Sequence, residues 1–132
     1  MRPGGILAVE DVNFRGHFSH PECPAFNRYV QLYEAAGRKK GADPWIGPRL
    51  PGILMDCGLK QVRMKVVLPT FYEGEGKLMA LLTMLNIREA VIDAQLATDA
   101  EVDGIISELA AFTKDPQSIM SLPRLFQVWG VK

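Results

Sequence analysis

Residues 15–26, RGHFSHPECPAF, place His17, His20 and Cys23 at three-residue intervals, and these include both histidines and one of the two cysteines of the chain. Three chemistries suit such a stretch. A His-x-x-His-x-x-Cys pattern offers three zinc-compatible ligands, with Asp11, Glu22 or a water as the fourth, although this spacing is not a strong metal signature. An imidazole whose free pKa is about 6.5 is suited to take a proton near neutral pH, which makes His17 and His20 candidate bases. The third reading is structural: a polar loop stiffened by Pro21 and Pro24, with Cys23 partly buried at a helix start. Around this stretch lie an acidic pair, Glu10 and Asp11, and five aromatics, Phe14, Phe18, Phe26, Tyr29 and Tyr33. The aromatics suit the lining of an apolar pocket, but their helical spacing favours packing in a core.

The elements that must position these residues follow from patterning. A Pro-Gly-Gly turn at 3–5 feeds ILAVEDV, residues 6–12, an apolar run without alternation. Such a run reads as a strand buried on both faces, usually a parallel one. In open α/β sheets ligands bind beyond the carboxyl ends of strands, which is where Glu10 and Asp11 fall. A loop at 13–21 leads to a helix expected from about Pro24 to Arg38. A short helix at about 47–57 should end at Gly58, a suitable C-terminal cap. LKQVRMKVVL, residues 59–68, alternates cleanly and predicts a strand with one wet face near a sheet edge. A long helix is expected over about 76–96, with a break at Asn86. Thr98 and Glu101 form a capping box ahead of the stripe Val102, Ile105, Ile106, Leu109 and Phe112. A last strand is expected at about 124–131.

The 132 residues suffice for one domain with a real core, expected to span 1–132. Fifteen basic residues balance fifteen acidic ones, so the chain as a whole lacks the surplus of Lys and Arg that a nucleic-acid partner requires. Two cysteines are too few for a disulfide framework and are expected as free thiols. No apolar run approaches membrane-spanning length, and the N-terminal residues do not read as a signal peptide. The expectation is a cytoplasmic protein with neither nucleic acid nor membrane as partner.

The order of the segments resembles the C-terminal half of the class I adenosylmethionine-dependent methyltransferases. RPGGILAVEDV is similar to the Lys-Pro-Gly-Gly turn and fifth strand of that family. GADPWIGPRLPGILMDCGLKQVRMKVV is similar to its Gly-Xaa-Asp-Pro turn, Ile-Gly helix start, Leu-Pro pair, helix end and sixth strand. TDAEVDGIISELAAFTKDP and FQVWGVK resemble its last helix and seventh strand. The likeness covers nearly the whole chain and rests on the order of individually weak motifs. It implies an α/β fold: a partial Rossmann-like methyltransferase sheet of about three strands (family strands five, six and seven) with four or five helices.

The resemblance also implies a gap. The family's cofactor half carries a Gly-Xaa-Gly-Xaa-Gly loop after its first strand and an acid that holds the ribose, and neither is found among these residues. Gly4-Gly5 precedes the first strand, and Gly74-Glu75-Gly76 reads as a turn into a helix. The expectation is therefore a methyltransferase-related chain corresponding to the substrate-side portion, inactive alone. It would bind no cofactor by itself, whereas the intact family uses adenosylmethionine. By position in the family, Glu10, Asp11, Phe14, Phe18, Phe26, Tyr29 and Tyr33 would face a small-molecule methyl acceptor, with His17 or His20 taking its proton. The alternative is a non-catalytic homodimeric binding or assembly module. The family's fifth strand lies between strands four and seven; with no strand four, the strand at 6–12 has an open edge. A homodimer through that edge, or through adjacent helices, is expected.

Overall fold

A computed structural model describes residues 1–132. The chain divides into two compact units, each with its own sheet. The first unit comprises residues 1–16, 44–68 and 123–132. It holds strand β1 (Ile6–Asn13), a single 3-10 turn (Gly47–Arg49), helix α2 (Leu50–Asp56), strand β3 (Lys60–Val67) and strand β6 (Arg124–Val131). The second unit comprises residues 17–43 and 69–122. It holds β2 (Ser19–His20), α1 (Pro24–Lys39), β4 (Thr70–Phe71), a 3-10 turn (Glu75–Leu78), α3 (Met79–Asp93), α4 (Asp99–Lys114) and β5 (Ile119–Ser121).

The sheet of the first unit has the order β1-β6-β3, and both pairings are antiparallel. Val9 stands opposite Val128, and Val128 opposite Met64. Leu50, Leu54 and Leu59 close one face against Phe126, Val128, Val9 and Val62. Gly47 is required at this closure, because a Cβ there would lie 2.5 Å from Cδ2 of Phe126 and 3.1 Å from the Val12 carbonyl. The opposite face carries Ile6, Ala8, Glu10 and Val12 of β1, Leu125, Gln127, Trp129 and Val131 of β6, and Lys60, Arg63 and Lys65 of β3, by register. None of these residues is buried.

Here the structure corrects the reading of β1. The strand is antiparallel and mostly exposed, with Ile6 at 69%. A run of apolar residues cannot distinguish a strand covered on both faces from one whose neighbours leave a face and an edge open. β3 is an edge strand, as its alternation implies, and a register shift lies between Lys60 and Arg63.

In the second unit α1, α3 and α4 enclose the larger core. Phe26, Leu32, Met84, Val91, Val102 and Leu109 are among its most deeply buried side chains. Pro24 opens α1, where a missing N–H costs nothing, and Arg38 and Lys39 sit favourably in its last turn. Thr98 caps α4 by accepting the Glu101 N–H at 3.2 Å. α3 runs unbroken through Asn86, contrary to the expected break. Its first turn is a separate 3-10 segment, with Gly74 at φ 79° ahead of it. The second sheet, β2-β5-β4, has no signal in the sequence: its strands are two or three residues long, and their pairing is set by contacts distant in sequence. The expected count of about three strands thus describes the first sheet alone.

The charges divide with the units. The first unit holds eight Lys and Arg against three Asp and Glu, and the second seven against twelve. The neutrality of the whole chain therefore describes neither part.

Candidate functional site

The residues singled out in the sequence fall into both units. In the first, Glu10 and Asp11 lie within β1, not beyond its end. Each carboxylate already has a partner. Gln127 Nε2 donates to Glu10 Oε2 at 2.6 Å across the open face of the sheet. The Val12 N–H donates to Asp11 Oδ1 at 2.7 Å. That second contact is a local side-chain bond that occupies a backbone donor a neighbouring strand would otherwise take. Phe14 is buried, and its N–H donates to the Pro44 carbonyl at 2.9 Å. Gly16 has φ +88°, and a Cβ there would meet the Arg124 guanidinium at 2.6 Å.

In the second unit His17, Phe26 and Tyr29 form a run of rings. The His17 ring meets Phe26 edge-on at 5.8 Å between centroids, and Phe26 lies 5.9 Å from Tyr29. Phe26 and Tyr29 are core residues, at 1% and 4% exposure, and Tyr33 packs against the same cluster. Burial pushes the Tyr29 phenol up to about 12; a hydrogen bond with Thr83 acts in the opposite sense, and Tyr33 adds to the rise. Phe18 is exposed, while its backbone is pinned: its N–H donates to Ser121 Oγ and its carbonyl accepts from the Ser121 N–H, both at 2.9 Å. His20 is exposed at the end of β2, paired with Ile119, and precedes a cis peptide to Pro21.

Cys23 occupies the N-cap position of α1 and is buried, and its N–H donates to Ser19 Oγ at 3.2 Å. The place of Cys23 at a helix start agrees with the structural reading, whereas Ser19 and His20 form strand β2 where a loop was expected. No group of three or more His, Cys, Asp and Glu side chains converges as a metal-ligand set anywhere in the chain. The loop instead borders a cleft of about 390 Å³ lined by Pro21, Glu22, Cys23, Pro24, Glu108 and Asp115, among others. Neither histidine lines it. A second cleft, of about 150 Å³, lies between α1 and α3 and takes Tyr33, Ala36 and Ala90 into its wall.

The fit to adenosylmethionine can be judged from the glycines. A cofactor loop needs glycines where the ligand would otherwise meet a side chain. At Gly76 that space belongs to Phe71, whose ring carbons lie 2.4 Å from where a Cβ would stand. Gly74 only turns the chain into a four-residue 3-10 segment. The residues present do not form a cradle for the cofactor.

One residue gave no signal in the sequence. Lys77 is 3% exposed, and its Nζ donates to the carbonyls of Tyr72 at 3.0 Å and Asp115 at 2.6 Å. It ties the turn before α3 to the end of α4. A single lysine in a Gly-Glu-Gly-Lys run is indistinguishable by pattern from a solvated one. No helix is long and apolar enough to cross a membrane. No protein-family model matches the chain, and no curated protein gives a significant match to it.

Proposed function

We propose that this chain is a methyltransferase-related α/β domain equivalent to the substrate-side portion of the adenosylmethionine-dependent fold, without transfer activity of its own. One observation carries the reading: the last strand, β6, lies between β1 and β3. The first strand therefore neighbours the last, as the fifth strand neighbours the seventh in the resembled family. The Phe71 ring, which fills the space beside Gly76, is what argues against these residues holding the cofactor. Among the residues of the second unit assigned to an acceptor, the exposed His20 and Phe18 and the half-buried His17 and Tyr33 are those within reach of a small molecule; Glu10 and Asp11 of the first unit are exposed as well. His17 or His20 would take the acceptor's proton. Phe26 and Tyr29 would act from the core, the former by holding the His17 ring.

Calorimetric titration of the folded chain with adenosylmethionine tests this reading. No heat of binding is expected. One-site binding would mean that the chain holds the cofactor by itself and would refute it.

A second reading, a non-catalytic homodimeric assembly module, is favoured by the unpaired outer edge of β1 and the exposure of Ile6 and Leu7 there. Long apolar edges without protection are templates for another strand.

A further inference from the structure

Resting on the assembly reading, we infer that β1 pairs with β1 of a second copy in one antiparallel register, centred on Ala8 and ended by Asp11. The backbone geometry sets which groups are open. The Lys132 N–H donates to the Gly5 carbonyl at 2.9 Å, and Gly5 and Lys132 continue the β1–β6 register. Bonded and unbonded residues alternate along an antiparallel strand, so odd-numbered residues of β1 face β6. The N–H and C=O groups of Ile6, Ala8, Glu10 and Val12 therefore point to the free edge. The Val12 N–H is already taken by Asp11 Oδ1 at 2.7 Å, which is also what this alternation requires. At the other end the Gly4 N–H is taken by the Lys132 carbonyl. The open edge is thus Ile6, Ala8 and Glu10, bounded on both sides.

These three residues are self-complementary about Ala8. A two-fold axis perpendicular to the sheet and midway between two Ala8 residues sets Ala8 against Ala8 and Ile6 against Glu10 of the second copy. Every open N–H and C=O of the three then finds a partner, and the Asp11–Val12 bond stays intact. Shifting the axis to Val9 would set the occupied Val12 N–H opposite the Ile6 carbonyl. Shifting it to Leu7 would set Glu10 against Gly4, whose N–H is in use. In the Ala8 register Leu7 stands opposite Val9, giving two apolar pairs on the face that α2 packs against.

The other edge of the same sheet is not equivalent. β3 has a register shift between Lys60 and Arg63 and carries Lys60, Arg63 and Lys65, the devices by which edges resist pairing. β1 carries no lysine, proline or bulge. Five residues a side are far fewer than the roughly 20–30 of a standard interface, so the dimer is weak and forms with rising concentration.

The test follows amide hydrogen exchange and sedimentation of the full chain over a hundredfold range of concentration. At the high end, exchange at Ile6, Ala8 and Glu10 should slow about tenfold or more while Val12 stays unchanged. Ala8→Pro removes an outward N–H without touching a bond to β6, and should weaken dimerisation about tenfold or more. The wild-type exchange pattern stands as the readout if that variant folds poorly. A dimer whose amides at 6, 8 and 10 remain unprotected would overturn this register and leave the assembly reading in place. A monomer throughout would overturn both. Growth to larger species would mean that β1 pairs with β3 of another copy, and would overturn the two-fold arrangement.

Discussion

Tyr29→Phe should change sign in its effect on stability as pH rises. Tyr29 sits in the core at 4% exposure, with its phenol pushed from 10.0 up to about 12, chiefly by burial. Below about pH 10 the phenol is neutral in both folded and unfolded chains, so its contribution is constant and fully present. Above that, the unfolded chain ionises first and binds fewer protons than the folded one, so stability falls with pH until the folded phenol also titrates. A rise of this size corresponds to roughly 3 kcal/mol, about half of which is lost by pH 11. Phenylalanine has no such loss, but it gives up the hydrogen bond to Thr83, at a cost of about 1 kcal/mol. The variant should therefore be about 1 kcal/mol less stable than wild type near pH 8 and level with it or slightly more stable near pH 11. Urea unfolding of both proteins at the two pH values measures this, and absorbance near the tyrosinate band reports ionisation directly. An equal penalty at both pH values would refute the reasoning, because it would mean that the folded phenol ionises as freely as an exposed one.

Lys77→Met should lower stability by about 1–3 kcal/mol, since it takes the Lys77 donor from the Tyr72 carbonyl and leaves the Asp115 carbonyl only its bonds from Ser118; an unchanged urea midpoint would count against that account. Gly47→Ala should cost about 1–3 kcal/mol, because its Cβ would stand against the Phe126 ring and the Val12 carbonyl. Gly52→Ala in α2, where nothing lies within 4 Å of the added carbon, is the control in the same thermal melt and should be neutral or stabilising by about 0.5–1 kcal/mol.

Local chemistry was legible wherever a few adjacent residues set the outcome. Pro24 begins α1, Thr98 and Glu101 begin α4, and Gly58 at φ +80° ends α2. The strand at Arg124–Val131 was readable from its own composition. Cys23 at a helix start also followed from its neighbours.

Other features depended on partners far away in the chain. The surroundings of the five aromatics were one such case: Phe26 and Tyr29 are core residues and Phe18 is exposed, although all three are aromatic and close in sequence. Asp11 was legible as an acid near a strand end, but its bond to the Val12 N–H matters only because that N–H faces an edge with no neighbour.

The amino-acid sequence by itself determined the helices, their caps and the longer strands, because those depend on spacings of one to four residues and on intrinsic backbone preference. The tertiary structure alone decided which strand face and edge stay open, how the three tiny strands of the second sheet find one another, and how a neutral chain divides into a basic and an acidic unit. These depend on which distant residues meet, and a pattern read along one strand carries no record of what lies beside it.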